Sequence, residues 1–541
     1  MYSLRSIARS LPTHAAVFTA LLGFSTVAYA DAGLEALLSA NPPTKVAIAD
    51  GNGDKLRSIY QTRHFRPLWP AGPRRDRLIA VLGAAGQEGL DAPSYLTAAI
   101  KERQAAGEAK ANELDMLLTD AAMRYASDLR SGQVDPDQAD HLWQHNRPSF
   151  DAASFITQML ETDDGLAPLA DLAPPYLGYR RLRDTLAALR QTQQAGGWPT
   201  VTAVGKDSIK PGMQDERIAM VRKRLAVTGE YTGTDLESTT LDDELSEAIK
   251  RFQSRHGLDA DGVLGRGTAA AMAVTVDERI EQIIANMERW RWLPRALEPT
   301  HLFVNIGGQY LNLVKDGEVV LQTRVVVGKP THRTVAFRAA VTSVTLNPPW
   351  NVPDSIASKE ILPELKKNPD YLVENRLRIV GAFPPDSPES DGIGINWHGY
   401  SRFPYQLRQV PGRDNSLGVV KFNMPNANDI YLHDTPSKAL FQRARRAFSH
   451  GCVRVQDPMR LAATLIGKDD FAPDKIKERI QNGVTQTVQL TKPVPIYLFY
   501  FTAWVDADGK LELRDDIYGY DRGISSQLAK KRQKMALMAK S

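Results

Sequence analysis

Near residue 300 the spacing of apolar residues changes from helical to alternating, and a chain with that switch must build at least one helical unit and one β unit. Upstream, Leu114, Leu117, Leu118, Ala121, Tyr125 and Leu129 recur at i, i+3, i+4 and i+7 and stop at Gly132, which predicts one long amphipathic helix. Downstream, Leu302, Val304 and Ile306 alternate, as do Leu311 and Leu313. Lys315-Asp316-Gly317-Glu318 then supplies an Asp-Gly hairpin signal before Val319 to Val327, so a β domain opens here. At 541 residues the chain exceeds what one core usually serves. Its 43% apolar and 24% charged composition is that of a globular protein.

The first thirty residues stand apart. Arg5 and Arg9 precede an apolar run from about Ala15 to Ala28, and Ala28-Tyr29-Ala30 stands before Asp31. These are the charged start, short apolar middle and small-residue cut site of a signal peptide. The run is shorter than the ~20 residues that cross a bilayer, so no stable membrane span is expected after cleavage. The formal charge of +4 falls to about +2 without the two leader arginines, which offers no electrostatic basis for nucleic-acid binding.

Leu56 to about Trp198 reads as a helical scaffold, broken at Gly89-Leu90-Asp91 and Pro174-Pro175. A compact unit follows. Ile218, Val221 and Leu225 form one helical face, and Leu245, Ile249 and Phe252 another. The turn Asp261-Gly262-Val263-Leu264-Gly265 then leads to Thr268, placed as an N-cap before Ala269 to Met272. A linking helix spans about Ile280 to Trp292.

Inside the β domain, Leu346 to about Gln409 breaks the strand rhythm with Pro348-Pro349-Trp350, a helix expected over Ser355 to Lys366, and the aromatics Trp397, Tyr400, Phe403 and Tyr405. An irregular excursion of this length is usually functional, for instance a lid. Strands are expected again at Val419 to Phe422, Asp429 to Leu432, Thr485 to Leu490 and Ile496 to Trp504. The expected organisation is a signal peptide over 1–30, a helical scaffold over 31–205 and a small helical domain over 206–275. A linking helix over 276–299 leads to a mainly β domain over 300–505, with an α/irregular insert at about 350–410, and a tail over 506–541. The basic Lys530-Lys531-Arg532-Gln533-Lys534 is expected as a solvated helix end.

Cys452 is the single cysteine. In an exported chain a lone thiol is either buried and inert or kept for its reactivity, and the local sequence favours reactivity. A cysteine nucleophile acts as thiolate and needs a base, which an imidazole supplies. In Ile430-Tyr431-Leu432-His433-Asp434-Thr435, His433 ends an expected strand, a rigid place from which to present a ring. In Ser449-His450-Gly451-Cys452-Val453-Arg454, His450 is only two residues from the thiol and is assigned a supporting hydrogen bond. Gly451 permits a sharp turn that could aim the Gly451 and Cys452 amides at an oxyanion. Arg454 suits a substrate carboxylate or a brace for the loop.

These motifs resemble the L,D-transpeptidase catalytic domain of the YkuD fold, with Gln409-Val410-Pro411-Gly412, Asn415-Ser416-Leu417-Gly418 and Lys421-Phe422 preceding them. Ala248-Ile249-Lys250-Arg251-Phe252-Gln253, Gly257-Leu258, Asp261-Gly262 and Thr268 resemble the helical peptidoglycan-binding domain. The order of units is similar to the long Gram-negative members of the family. The resemblance implies a periplasmic enzyme without a cofactor or metal, and peptidoglycan tetrapeptide stems as acyl donor and acceptor. It implies Cys452 and His433 as catalytic residues, with Ser449, His450 and Gly451 in support. The candidate substrate contacts are Arg454, Tyr431, Gly418, Trp350, Trp397 and Tyr405.

Two other readings use the same residues. His433, His450 and Cys452 could be zinc ligands of a wall hydrolase, although the His-Glu-x-x-His helix is missing. The β domain could instead be a decayed enzyme beside a glycan-binding module.

Overall fold

A computed structural model describes residues 31–39, 52–139, 143–145, 147–162, 165–201, 208–381, 386 and 388–538. The expected signal peptide lies outside them. No helix among the described residues is long and apolar enough to cross a membrane.

The helical region is built around Ala111–Ser131. The six apolar residues that predict this helix are all buried in one cluster with Leu56, Leu78, Leu82 and Ile156, and Gly132 (φ +89°) ends it. The next unit packs Arg217–Val227 against Asp243–Arg255 through Ile218, Val221, Leu225, Leu245, Ile249 and Phe252. Its last helix begins at Arg266, with Gly265 at the N-cap. Thr268 therefore sits inside the helix and does not cap it. Its hydroxyl accepts from Gln253 Nε2 at 3.0 Å, and the same Nε2 donates to Val263 O at 3.0 Å, so both side chains brace the turn.

The linking helix, Val276–Arg291, starts with a capping box between Thr275 and Glu278. Beyond it the strands follow the order Ala336–Leu346, Val420–Asn423, Leu432–His433, Val453–Val455, Glu318–Gly328, Tyr310–Lys315, His301–Asn305, Gln486–Phe499. The long last strand also pairs antiparallel with the first, which closes the path into a barrel and leaves those strands no free edge. Leu302, Val304, Ile306, Leu311 and Leu313 all point into its core. The predicted hairpin is present, with Asp316 and Gly317 both at positive φ. Trp143–Gln144, from the helical region, pairs in parallel with Ala336 and Phe337.

The insert has its own four-stranded sheet, Trp350–Val352, Gln406–Gln409, Leu377–Val380 and Glu389–Ser390. It also has its own core of Val352, Ile361, Leu365, Leu372, Trp397, Phe403 and Leu407. The basic tail is the solvated helix end that was expected, with Lys530, Gln533 and Lys534 exposed. It belongs to the helix Tyr520–Met538, which buries Ile524 and Leu528. Within it Lys531 pairs with Asp128 at 2.7 Å and Arg532 with Glu281 at 3.2 Å, both side chains remaining partly exposed.

Candidate active site

Strand register assembles the site. Lys421 pairs with His433 across antiparallel strands, and His433 pairs with Arg454 across parallel ones. Paired residues share a face and residues two apart return to it, so Lys421, Tyr431, His433, Cys452 and Arg454 occupy one side of the sheet. Val420, Phe422, Leu432, Val453 and Val455 occupy the other side, in the barrel core. Two motifs nearly twenty residues apart thus converge because their strands are neighbours.

The loop before the thiol is braced from within. Gly451 has φ +118°, a conformation that favours glycine. Its N–H donates to Ser449 Oγ at 3.1 Å, and Ser449 Oγ–H donates to the Cys452 carbonyl at 2.6 Å. Thr334 Oγ1–H donates to the Gly451 carbonyl at 2.8 Å. The Gly451 amide, expected at an oxyanion, is therefore occupied by Ser449. The Cys452 amide makes no hydrogen bond among the described residues and is the donor left over.

Cys452 is half-buried, and its Sγ lies 3.7 Å from the carbonyl oxygen of Asp429, an acceptor that sequence reasoning missed. Asp429 is a non-glycine residue in the left-handed region (φ +51°), where strain of roughly 1–3 kcal/mol is often stored at functional sites. Burial pushes the thiol pKa up, while Tyr431, Lys421 and Arg454 oppose the rise. Burial also drives the His433 pKa down to about 3, helped by the charges of Arg454 and Lys421 and opposed by the backbone of Asp434 and Leu417. Nδ1 of His433 is buried without a hydrogen-bond partner among the described residues. At neutral pH this sheet face thus carries a neutral thiol and a neutral imidazole, with two cations. Lys421 was missed as a site residue, although its position in an otherwise apolar strand is a signal.

Tyr431 sits within hydrogen-bonding reach of Trp350 and Cys452, and Lys421 Nζ lies 4.3 Å from its ring centre. Trp350 stands at the base of the insert, paired with Gln409. Tyr405 is at the other end of that strand, four residues or ~13 Å from Gln409. Trp397 is corrected as a substrate contact. It is 3% exposed, stacks on Phe403 at 5.6 Å and belongs to the insert's core, with no face left for a ligand. Gly418 is corrected too, because it adopts φ +60° with the Asp434 side chain packed where a Cβ would stand, so it shapes the segment after His433. His450 turns to the insert, with Nε2 2.6 Å from Glu360 Oε1, and not towards His433 and Cys452. No group of three potential metal ligands occurs among the described residues.

Comparison with known proteins gives three family matches: a scaffold domain over residues 54–186, the "Putative peptidoglycan binding domain" over 214–272 and the L,D-transpeptidase catalytic domain, YkuD, over 299–486. The "Putative L,D-transpeptidase" of Haemophilus influenzae is 35% identical over 246 residues, covering 45% of this chain and 49% of that protein. The match thus spans about half the length of that curated relative. Among solved structures, an L,D-transpeptidase from Stackebrandtia nassauensis has 16% identity, 56% and 96% coverage of the two chains and a TM-score of 0.21. The Enterococcus faecium L,D-transpeptidase catalytic domain acylated by ertapenem has 15% identity, 38% and 99% coverage and a TM-score of 0.19. The family matches and the curated relative carry the assignment: this chain contains an L,D-transpeptidase catalytic domain of the YkuD family together with a peptidoglycan-binding domain.

Proposed function

We propose that the chain is an exported, periplasmic L,D-transpeptidase that forms 3-3 cross-links in peptidoglycan through a thioester on Cys452, with His433 as base. The observation that carries this reading is the register that sets Cys452, His433, Tyr431, Lys421 and Arg454 on one sheet face. Cys452 Sγ attacks the carbonyl carbon between the third residue of a tetrapeptide stem and its terminal D-alanine. The thiol proton passes to His433 and on to the departing amine of D-alanine, and the thioester remains. The side-chain amine of a second stem then attacks the thioester, gives its extra proton to His433, and leaves an amide and a restored thiol. Neither step needs a cofactor or a metal.

The low basicity of His433 fits a substrate-completed site. A stem carboxylate bound by Lys421 and Arg454 offsets two charges that oppose the imidazolium, so His433 becomes a better base when substrate is present. The Cys452 amide, the one not used within the loop, faces the developing oxyanion. The insert, whose Glu360 and Trp350 reach His450 and Tyr431, limits water at the thioester.

The test is incubation of the pure protein with wall sacculi, followed by mass analysis of the released muropeptides. Dimers joined between two third-position residues, with loss of D-alanine, are expected. Tripeptide alone would recast the protein as a hydrolase, and an unchanged profile would end the assignment.

A further inference from the structure

A cleft of about 300 Å³ lies where the peptidoglycan-binding domain meets the β domain, and it is lined by Arg324, Arg443, Arg446 and Arg514. Asp259 and Ala260 close it from the helical side. Among the described residues, no carboxylate pairs with Arg324, Arg443 or Arg446, and only Arg514 has such a partner, Glu512 at 2.9 Å. Arg446 is held by backbone carbonyls of Gln309, Val325, Arg443 and Ala444, and Arg324 by that of Phe441. These bonds fix the guanidinium groups without neutralising them. Burial, and then the charges of Arg324 and Arg514, press the Arg446 pKa down to about 10, as expected of a guanidinium buried among other cations.

The two walls are joined firmly. Arg514 Nη1–H donates to the Arg255 carbonyl at 2.8 Å, and its side chain occupies the space a Cβ at Gly257 would need. Ala444 N–H donates to Asp259 at 3.3 Å. One of its arginines shares a sheet face with the site already described. Arg454 pairs with Val326, so Arg324, two residues earlier, lies on the thiol's face of the sheet. Gln456 N–H donates to the Arg324 carbonyl at 3.1 Å, which puts Arg324 four residues along the strand from Cys452, or ~13 Å. An extended stem of four residues covers the same distance, ~13–14 Å.

We propose that this arginine cleft is a second substrate subsite, which takes the carboxylates of a peptidoglycan stem whose strand spans the helical module and the β domain. The subsite rests on the transpeptidase reading above but lies away from the thiol. Guanidinium forks suit carboxylates, and several converging cations hold an anionic peptide in one orientation. A glycan strand gripped by the module is thereby fixed in register with the thiol.

The experiment uses the full chain with Cys452→Ala as parent and measures binding of a soluble disaccharide tetrapeptide, of the same molecule with amidated carboxylates, and of inorganic phosphate. Arg443→Ala should weaken binding of the acidic muropeptide about tenfold, while Arg443→Lys keeps most of it. Ala260→Glu, which introduces a carboxylate from the opposite wall, should weaken it comparably. The amidated muropeptide should bind parent and variants alike. Phosphate should compete only at far higher concentration, and equal competition would assign the cleft to small anions instead. Unchanged muropeptide affinity in both Arg443→Ala and Ala260→Glu overturns the subsite. Acyl-enzyme formation on Cys452 of the unaltered chain is measured in parallel. Its absence defeats the transpeptidase reading, whereas its presence with unchanged affinities defeats the cleft alone.

Discussion

Nε2 of His450 and Oε1 of Glu360 lie 2.6 Å apart, so the loop that carries the thiol is tied to a turn of the insert, ninety residues earlier in the chain. Both side chains are partly exposed, at 30% and 48%, and such a contact is worth only ~0.2–1 kcal/mol. That is enough to shift a lid between seated and raised. Glu360→Ala should therefore increase hydrolysis of the thioester relative to transfer by up to about fivefold, with Glu360→Gln intermediate. The ratio of tripeptide to cross-linked dimer reads this directly, and an unchanged ratio in Glu360→Ala would remove the latch.

Cys452→Ala should abolish acyl-enzyme formation while moving the thermal midpoint by no more than a few degrees. The thiol is half-buried and its contact with the Asp429 carbonyl is long, at 3.7 Å, so its loss creates little cavity and breaks no crosslink. Mass spectrometry after exposure to a tetrapeptide donor should show no adduct. Product from this variant at the normal rate would contradict the assignment of Cys452.

The depressed pKa of His433 has a consequence for stability. The folded value is about 3 and the ordinary one ~6.5, so between them the unfolded chain binds more protons and stability rises with pH. The contribution is complete above ~6.5 and falls by up to about 1.4 kcal/mol per pH unit on acidification towards 3. His433→Gln should flatten this slope. Denaturant unfolding at pH 7 and pH 5 checks it, with the wild-type chain expected to lose about 2 kcal/mol more than the variant. Parallel slopes would mean that His433 is not held neutral by burial.

Cys452 and His433 could be singled out from the sequence as candidates because a lone cysteine and a strand-ending histidine are rare signals, and alternation through Leu302, Val304 and Ile306 suffices to place a strand. Lys421 and Asp429 were harder, since their roles depend on which strands become neighbours and on one carbonyl's direction. Lys421 does interrupt an apolar strand, and Asn426-Ala427-Asn428-Asp429 has turn chemistry, so faint signals existed. Glu360 left none, because nothing local records a contact made across the whole insert. Trp397 was misread because an aromatic residue has the same local pattern in a core as in a cleft. Thr268 looked like a cap until Gly265 proved able to start the helix earlier.

The correction at Trp397 is itself testable. Trp397→Ala removes the ring stacked on Phe403 from a closed core and should cost about 3–5 kcal/mol locally, seen as faster amide exchange and proteolysis within the insert. Tyr405, 38% exposed at the distal end, should tolerate alanine with little change. Normal insert protection in Trp397→Ala, combined with weaker donor binding, would restore the substrate-contact reading.

Gly418 separates backbone strain from positioning. It has φ +60°, and a Cβ there would stand 2.4 Å from Asp434 Oδ2 and 2.5 Å from its Cγ. Asp434 cannot move aside at no cost, because Oδ2 accepts from Val419 N–H at 3.0 Å, its own N–H donates to Val420 O at 2.8 Å, and Lys438 pairs with Oδ1. A methyl at 418 must therefore displace the residue that follows His433, and with it the ring. Gly467 is the matched control, since it has φ +62° at the end of the helix Pro458–Ile466 and nothing within 4 Å of its Cβ position. Alanine at either site carries the left-handed penalty of roughly 1–3 kcal/mol, so both variants should lose similar backbone stability. Only Gly418→Ala should also slow acylation of Cys452, by about tenfold or more, because displacements near 1 Å at a base are costly. The measurement is the single-turnover acylation rate of each variant at equal folded fraction, with thiol alkylation as a check on access. If Gly418→Ala acylates as fast as Gly467→Ala, the packing of Gly418 on Asp434 does not position His433.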